Sequence, residues 1–316
     1  MSRSTISTFQ LFALIPDAET ARVYLEGRLW PNGTTCPNCA GQDRITTRKD
    51  GVYRCNKCKL DFTVRTGTIF ERSHVPLHKW VYAMYLVVTA RKGISSLQLA
   101  KEIGITQKSA WFLLQRLREA CTNTPSDNPD EPGGKLFGTV EVDECFIGGK
   151  EGNKHANKKL NKGRGTIGKT AVMGLRERGG RTRAMTVKNT DRETLQNVVY
   201  DNVVVGSTIM TDEHAAYAGL QGDAAAGYVH SSVVHMAGEY SRDGVSTNGI
   251  ESVWAVLKRS IVGTWHQVSP KHLDRYVNEV AFRLNEGKVQ RHTLDRLASF
   301  VTAVDGKRLT YKRLVQ

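Results

Sequence analysis

The feature that most limits what this chain can fold into is a set of four cysteines. Cys36, Cys39, Cys55 and Cys58 are spaced C-x2-C-x15-C-x2-C. Each C-x2-C pair places two sulfurs on one side of a tight turn, and two such knuckles supply four thiolates to one tetrahedral Zn²⁺. The residues between the pairs must then fold back as a short ribbon. Pro37, Asn38, Asn56 and Lys57 inside the pairs suit the turns. Four thiolates leave no open coordination position, so a zinc ion here is structural and not catalytic. Cys121 and Cys145 read as core or incidental residues. The N-terminal "FQLFALIPD" has neither the basic flank nor the cleavage site of an export signal. Six thiols then point to a reducing compartment, and so to a cytoplasmic protein without disulfides. No run approaches 18 consecutive apolar residues, which predicts no membrane span.

Charge narrows the partner. The chain carries 45 Lys and Arg against 31 Asp and Glu in 316 residues, a formal charge of +14. A protein this basic commonly meets a polyanion, and double-stranded DNA is the expected one, in the nucleoid. Arg44, Arg48, Lys49, Arg54, Lys57 and Lys59 make the cysteine module itself a candidate backbone contact. A second candidate is "ISSLQLAKEIGITQKSAWFLLQRLREA" (94–120). Small Ala100 sits where two helices would cross, and Gly104 follows where a turn wants positive φ. The next helix buries Ala110, Leu113 and Leu117. Its exposed start carries Thr106, Gln107, Lys108 and Ser109, the positions that meet base edges when a helix-turn-helix enters a major groove. An ordinary helical pair is the competing reading. The charge and the adjacent ribbon favour DNA.

The length suggests two or three domains. Asp17 is expected to cap a helix over 17–30, and an apolar helix is expected over 77–92. The clearest linker lies within "TNTPSDNPDEPGGK", at 122–134. It separates an N-terminal helix and ribbon (1–65) and a helix-turn-helix-like domain (66–121) from an α/β domain over 135–316, where strands and helices alternate. The expected fold class is therefore multidomain α/β.

The α/β region holds the acids of interest. "GKLFGTVEVDECFIGGK" (134–150) alternates as a strand, with Phe137, Thr139, Glu141, Asp143 and Cys145 on one face and Val140, Val142 and Glu144 on the other. An acid among apolar neighbours is costly unless it binds a cation. Asp143 is the best placed, at the strand's far end, with Glu141 and Glu144 as competitors. Residues 168–187 read as a hairpin turned at Gly179-Gly180 and 191–203 as a helix. A short strand ends at Asp212, which is otherwise a helix cap, and "YVHSSVVH" (228–235) is one more strand. In "NGIESVWAVLK" (248–258), at about 100° per residue, Lys258 falls near −20° from Glu251, both on the rim of a stripe formed by Ile250, Trp254, Leu257 and Ile261. Taken alone, Glu251 and Lys258 read as a solvated helical face. With Asp143 and Asp212 they suggest carboxylates converging on Mg²⁺, which takes oxygen ligands. Two such ions, with Mn²⁺ as a substitute, would serve a phosphoryl transfer. Lys258 would then reach a DNA phosphate. Lys154, Lys158, Lys159, Lys162, Arg164 and Lys169 form a loop patch that is either a backbone contact or plain solvation.

Several of these stretches occur together elsewhere. "RLWPNGTTCPNCAG", "YRCNKCKLDFTVRTGTIFERSHVPLHKW", "TVEVDECFIGG", "IMTDEHAAY" and "STNGIESVWAVLKRSIVGTWHQVSPKHLDRYVNEVAFRLN" resemble the DDE transposases of bacterial insertion sequences, in the zinc-ribbon branch related to Merlin elements. The resemblance covers nearly the whole chain. It implies an RNase H-like catalytic domain over 135–316 with two Mg²⁺, and Asp143, Asp212 and Glu251 as the three acids. Lys258 matches the basic residue after the third acid, and Asn248 a recurring position of the same motif. The implied activity is cleavage at the element's terminal inverted repeats and strand transfer into target DNA, by an oligomer assembled on DNA. The rivals are a non-catalytic zinc-ribbon and helix-turn-helix regulator, and an RNase H-like nuclease or resolvase.

Overall fold

The computed structural model describes residues 5–122, 133–160, 165–220, 227–233, 244–288 and 290–316. The chain divides into two compact units, one formed by residues 1–122 with 286–316 and the other by residues 123–285.

The first unit opens with α1 (Thr8–Leu14) and α2 (Ala18–Leu29). Asp17 caps α2 as expected, its Oδ1 accepting from the Thr20 N–H at 2.8 Å. A three-stranded antiparallel sheet follows, β1 (Ile45–Thr47), β2 (Tyr53–Cys55) and β3 (Leu60–Phe62), paired in that order. Its small core joins Cys36, Cys55, Tyr53 and Phe62, with Trp30 packed edge-on against both rings. Helices α3 (Leu77–Thr89), α4 (Ser96–Ile103) and α5 (Gln107–Ala120) complete the N-terminal portion. Between α4 and α5, Gly104 takes the left-handed conformation at φ 62.

The second unit is built on a five-stranded sheet. Its strands are β4 (Thr139–Ile147), β5 (Thr170–Glu177), β6 (Thr182–Val187), β7 (Thr208–Thr211) and β8 (Val229–Ser232). They lie in the order β6-β5-β4-β7-β8. The first three run antiparallel, while β4–β7 and β7–β8 are parallel. The parallel step from β6 to β7 needs a crossover, and α6 (Arg192–Asn202) provides it. Leu195 and Val199 of α6 pack on Val140, Val142, Met173 and Leu175 on one face of the sheet. The other face is covered by α7 (Asn248–Ser260) and α8 (Pro270–Glu286), through Ile250, Val253, Trp254, Leu257, Leu273 and Val277 against Cys145, Val172 and Ala184. The expected strand over 134–150 is thus shorter, and "YVHSSVVH" is strand only over 229–232.

The chain then returns to the first unit with α9 (Thr293–Thr302) and α10 (Tyr311–Val315). The sequence expectation grouped 135–316. Residues 286–316 join the N-terminal unit, to which hydrogen bonds tie them. The Arg116 side chain donates to Leu309 O at 3.1 Å and to Ile69 O at 3.0 Å. Lys307 Nζ donates to Ala120 O at 3.0 Å, at the end of α5.

Candidate functional site

Three acids lie within four residues of β4, and each has a different partner. Glu141 is 4% exposed. It accepts from the Ile250 backbone N–H at 2.9 Å and from Arg178 Nε at 3.1 Å. Asp143 accepts from the indole N–H of Trp254 at 2.8 Å. Burial pushes its carboxyl up to about 6, and the charges of Asp212 and Glu251 add to the shift. Glu144 points to the opposite face, where its carboxyl oxygen accepts a hydrogen bond from the Tyr217 hydroxyl. Burial, with the charges of Asp143 and Asp212, pushes it up to about 8.

Strand register brings the second acid to the first. Parallel pairing of β4 and β7 sets Glu141 opposite Met210, so two residues further on Asp143 comes level with Asp212, just past the end of β7. Asp212 Oδ1 accepts from the His214 N–H at 3.0 Å, tightening the turn that leaves the strand. The Thr211 hydroxyl donates to Asp212 O at 2.6 Å and lies 2.9 Å from His230 Nε2 on the neighbouring strand. Burial holds the His230 imidazole below the ordinary histidine range.

The third acid arrives on a helix laid across the sheet. Gly174 of β5 is the register partner of Asp143. A Cβ there would stand 2.5 Å from the Trp254 ring and 2.7 Å from Ile250 Cδ1, so only glycine admits α7 at this depth. This close approach is what lets Trp254 reach Asp143. Thr247 at the start of α7 makes no side-chain cap. Glu141 takes that role from the adjacent strand, meeting an orphan N–H and the positive end of the helix. Arg178 continues the clamp to Gly244 O at 2.6 Å and Ser246 Oγ at 3.0 Å, and Arg176 donates to Gly249 O and Ser252 Oγ, both at 2.9 Å. Gly249 is required as well, since a Cβ there would lie 2.5 Å from Glu141 Oε2.

The result places Glu251, exposed in the first turn of α7, within electrostatic range of Asp143. Lys258 and Asn248 are exposed on the same helix. Burial pushes the Cys145 thiol up to about 12 and the nearby Lys258 charge opposes it, which puts Lys258 beside the end of β4. Among the described residues, only the four cysteines bring three or more ligand atoms within 4.8 Å of one another. The carboxylates therefore line one region without closing on a single point. Sequence reasoning ranked Asp143 above Glu141 and Glu144. It did not find the clamp of Glu141, Arg176 and Arg178, whose only trace was the placement of Glu141 on the Asp143 face.

In the first unit the cysteine sulfurs converge. Cys36 and Cys58 Sγ are 3.5 Å apart and Cys39 and Cys55 Sγ 3.7 Å. The backbone N–H of Cys58 helps bring the Cys55 thiol down to about 6. Despite the favourable backbone N–H of Gly41, burial and the neighbouring sulfurs push Cys39 up to about 11. This donor set suits a structural zinc ion. Thr106 caps α5, accepting from the Ser109 N–H at 3.2 Å, and Thr106, Gln107, Lys108 and Ser109 are exposed. Lys108 Nζ also sits 5.2 Å from the Tyr311 ring centroid. Of the loop patch, Lys154 pairs with Glu151 and Lys159 is exposed. The side chain of Lys158, together with Lys162 and Arg164, lies outside the described residues. No described helix is long and apolar enough to cross a membrane.

Comparisons with known proteins agree with this layout. The ISXO2-like transposase domain matches residues 135–285. A transposase zinc-ribbon domain matches residues 16–61. An uncharacterized protein in transposable element ISH50 of Halobacterium salinarum is 32% identical over 267 residues, covering 81% of this chain and 86% of that protein. With its four-cysteine ribbon followed by a mixed α/β unit carrying the acids, this chain belongs to the ISXO2-like DDE transposase family.

Proposed function

We propose that the chain binds the terminal inverted repeats of its own insertion sequence, cleaves the DNA there and joins the freed end to a target duplex. What supports this reading is the register of parallel β4 and β7, which sets Asp143 level with Asp212, together with an Asp143 carboxyl raised by its burial and by the charges of Asp212 and Glu251. The sheet order β6-β5-β4-β7-β8, antiparallel then parallel, supports an RNase H-like catalytic domain. The short turn at Gly104 and the exposed start of α5 support a helix-turn-helix in which Thr106, Gln107, Lys108 and Ser109 read the element ends. In functional terms, the ribbon (1–65) and helices (66–121) recognise DNA, 122–134 link, and the catalytic region begins at 135. The ribbon is stapled by one Zn²⁺ on Cys36, Cys39, Cys55 and Cys58. Lys158, Lys159 and Arg164 add backbone contacts, and the active assembly is an oligomer on double-stranded DNA in the cytoplasm.

The acids fit a pair of Mg²⁺ or Mn²⁺ ions. A pair of such ions would be held by carboxylates that line one region rather than by one tight cluster. Crowded negative charge on a buried Asp143 is the electrostatic condition that divalent cations relieve. Bound there, such ions would supply Lewis acidity at the scissile phosphodiester. Asp143 would contribute to both and Asp212 and Glu251 to one each. Trp254 orients the Asp143 carboxylate, Glu141 fixes the helix that carries Glu251, and Lys258 holds a DNA phosphate, while Asn248 stands at the start of the helix, beside the turn of Glu251. Water attacks the phosphodiester at the element end and releases a 3′-OH; that hydroxyl then attacks a target phosphodiester and displaces the target strand's own 3′ oxygen, which leaves as a 3′-OH.

Replacement of Asp143 by Asn tests the assignment. The variant is expected to bind element ends with unchanged affinity and to lose strand cleavage in Mg²⁺. Normal cleavage by D143N refutes it. Absence of any nicking by the native chain would favour a regulator, and cleavage without joining a nuclease.

A further inference from the structure

Residues 260–267 carry two uncommon backbone features in succession. After Ser260 the chain widens into one π-turn, Ile261–Trp265. His266 then adopts φ 59 and ψ −49 and centres a turn closed by the Gln267 N–H to Trp265 O at 2.7 Å. This is the rarer, strained form of γ-turn. A non-glycine residue held there is strained and persists only when its surroundings enforce it. The enforcement is visible: the Trp265 ring packs edge-on against Tyr276 at 4.7 Å and lies 5.8 Å from the Arg283 guanidinium.

Ile261 packs toward the core, while the anchored turn carries Val262 and His266 outward. Val262 is 74% exposed, and His266 is exposed too. Val262 stands four residues after Lys258, which stands seven after Glu251, so the three follow one edge of the helix with Arg259 alongside. All are exposed. At about 1.5 Å per residue, Lys258 lies roughly 10 Å and Val262 roughly 16 Å along the axis from Glu251. A DNA strand along this edge advances about 3.4 Å per nucleotide, which sets Val262 about four to five nucleotides from the bond at the acids. A single exposed valine is unremarkable. One held rigidly by a strained turn, beside two cations and in line with a carboxylate, fits a duplex.

We propose that the 261–267 turn is a DNA-contacting element that opens a base step near the cleaved bond. Val262 inserts against the step while Lys258 and Arg259 hold the intervening phosphates. Apolar side chains inserted in this way unstack neighbouring bases. The inference rests on reading Asp143, Asp212 and Glu251 as the cleavage centre.

The test places 2-aminopurine, in turn, three to six nucleotides from the cut in an element-end duplex, and follows its fluorescence on binding the full chain. The native protein should brighten one position, and Val262→Ser should abolish that signal. Val262→Ser should also cleave the paired duplex at least about tenfold more slowly, yet cleave a duplex mismatched at that step at the native rate. His266→Gly relieves the left-handed strain and so does not threaten folding. It should weaken the fluorescence signal by loosening the turn. No brightening at any position, or equal slowing of V262S on paired and mismatched duplexes as expected if Val262 serves a protein contact, overturns the proposal. Brightening by the native chain without cleavage would sink the catalytic reading and leave the turn's role standing. Cleavage without brightening does the reverse.

Discussion

Replacing Glu141 separates a structural clamp from the chemistry it supports. Its carboxylate is 4% exposed and meets one backbone N–H of α7, at 2.9 Å, and one guanidinium, at 3.1 Å. In Glu141→Ala the Ile250 N–H loses its partner inside the structure, at a cost of about 1–3 kcal/mol. The helix loses a carboxylate at its positive end, about 0.5–1 kcal/mol. The Arg178 side chain is 37% exposed and turns to water, so its share is under about 1 kcal/mol. The sum is about 3 kcal/mol, or a fall of roughly 6–12 °C in the melting of a unit this size. Glu141→Gln keeps an oxygen for the Ile250 N–H and loses mainly charge, so it should fall by about 1 kcal/mol, or roughly 2–4 °C. Calorimetry of the full chain reads the shift, and hydrogen exchange at residues 250–254 reads its location. Both should show Ala worse than Gln. Cleavage by E141Q at a temperature where it stays folded should drop mainly through kcat, because Glu251 rides on the displaced helix start, while the proposed end-reading residues Thr106, Gln107, Lys108 and Ser109 lie in the first unit and are untouched. Equal loss in the two variants would refute the role as an acceptor for α7. Unchanged exchange in E141A would refute the clamp altogether.

Four sulfurs within 4.8 Å of one another predict that Cys55→Ser, or removal of zinc by a chelator, unfolds the ribbon while the five-stranded unit keeps its melting transition. Loss of exchange protection confined to residues 36–62 is the expected readout, and unchanged protection contradicts a metal-held ribbon. The folded carboxyls of Asp143 and Glu144 are raised to about 6 and about 8, above their ordinary values. The folded state therefore holds more protons than the unfolded one between about pH 4 and 8. Stability without divalent ions should fall as pH rises through that window. Mg²⁺ competes with those protons, so its stabilising effect on melting should grow from pH 5 to pH 8, and a flat response would contradict cation binding at Asp143. Gly174→Val drives a side chain into the space of Trp254, where even a Cβ would sit at 2.5 Å. It should lift α7, break the Trp254–Asp143 bond and abolish cleavage while DNA binding by the first unit persists, which a gel-shift assay with a cleavage arm detects.

Local signals carried much of this fold. Cysteine spacing, the cap at Asp17, the glycine at 104 and the alternation of 139–147 each depend on neighbours in sequence, and each element stands where those neighbours put it. The fate of the acids on β4 was less legible, because alternation says which face a side chain takes but not what waits there. Glu141 and Asp143 share a face and are equally acidic on paper. One became a helix anchor and the other a candidate ligand because Gly174, 31 residues away, makes room for Trp254 above Asp143, while the start of α7 falls above Glu141. The Glu141–Ile250 and Asp143–Trp254 contacts join residues over a hundred positions apart, and no window of sequence contains both ends. The return of residues 286–316 to the first unit was hidden for the same reason: it depends on Arg116 and Ala120 offering partners to Leu309 and Lys307. Glu144 shows the converse. Its opposite-face placement was legible, yet the raised carboxyl arises from burial, with the charges of Asp143 and Asp212, and only packing supplies the burial and brings Asp212 near. A strand that spends three acids in four residues can thus afford them only because each meets a different long-range partner. Changing the partner, as Gly174→Val does for Asp143 and Gly249→Ala does for Glu141, should disable one acid without touching its own residue.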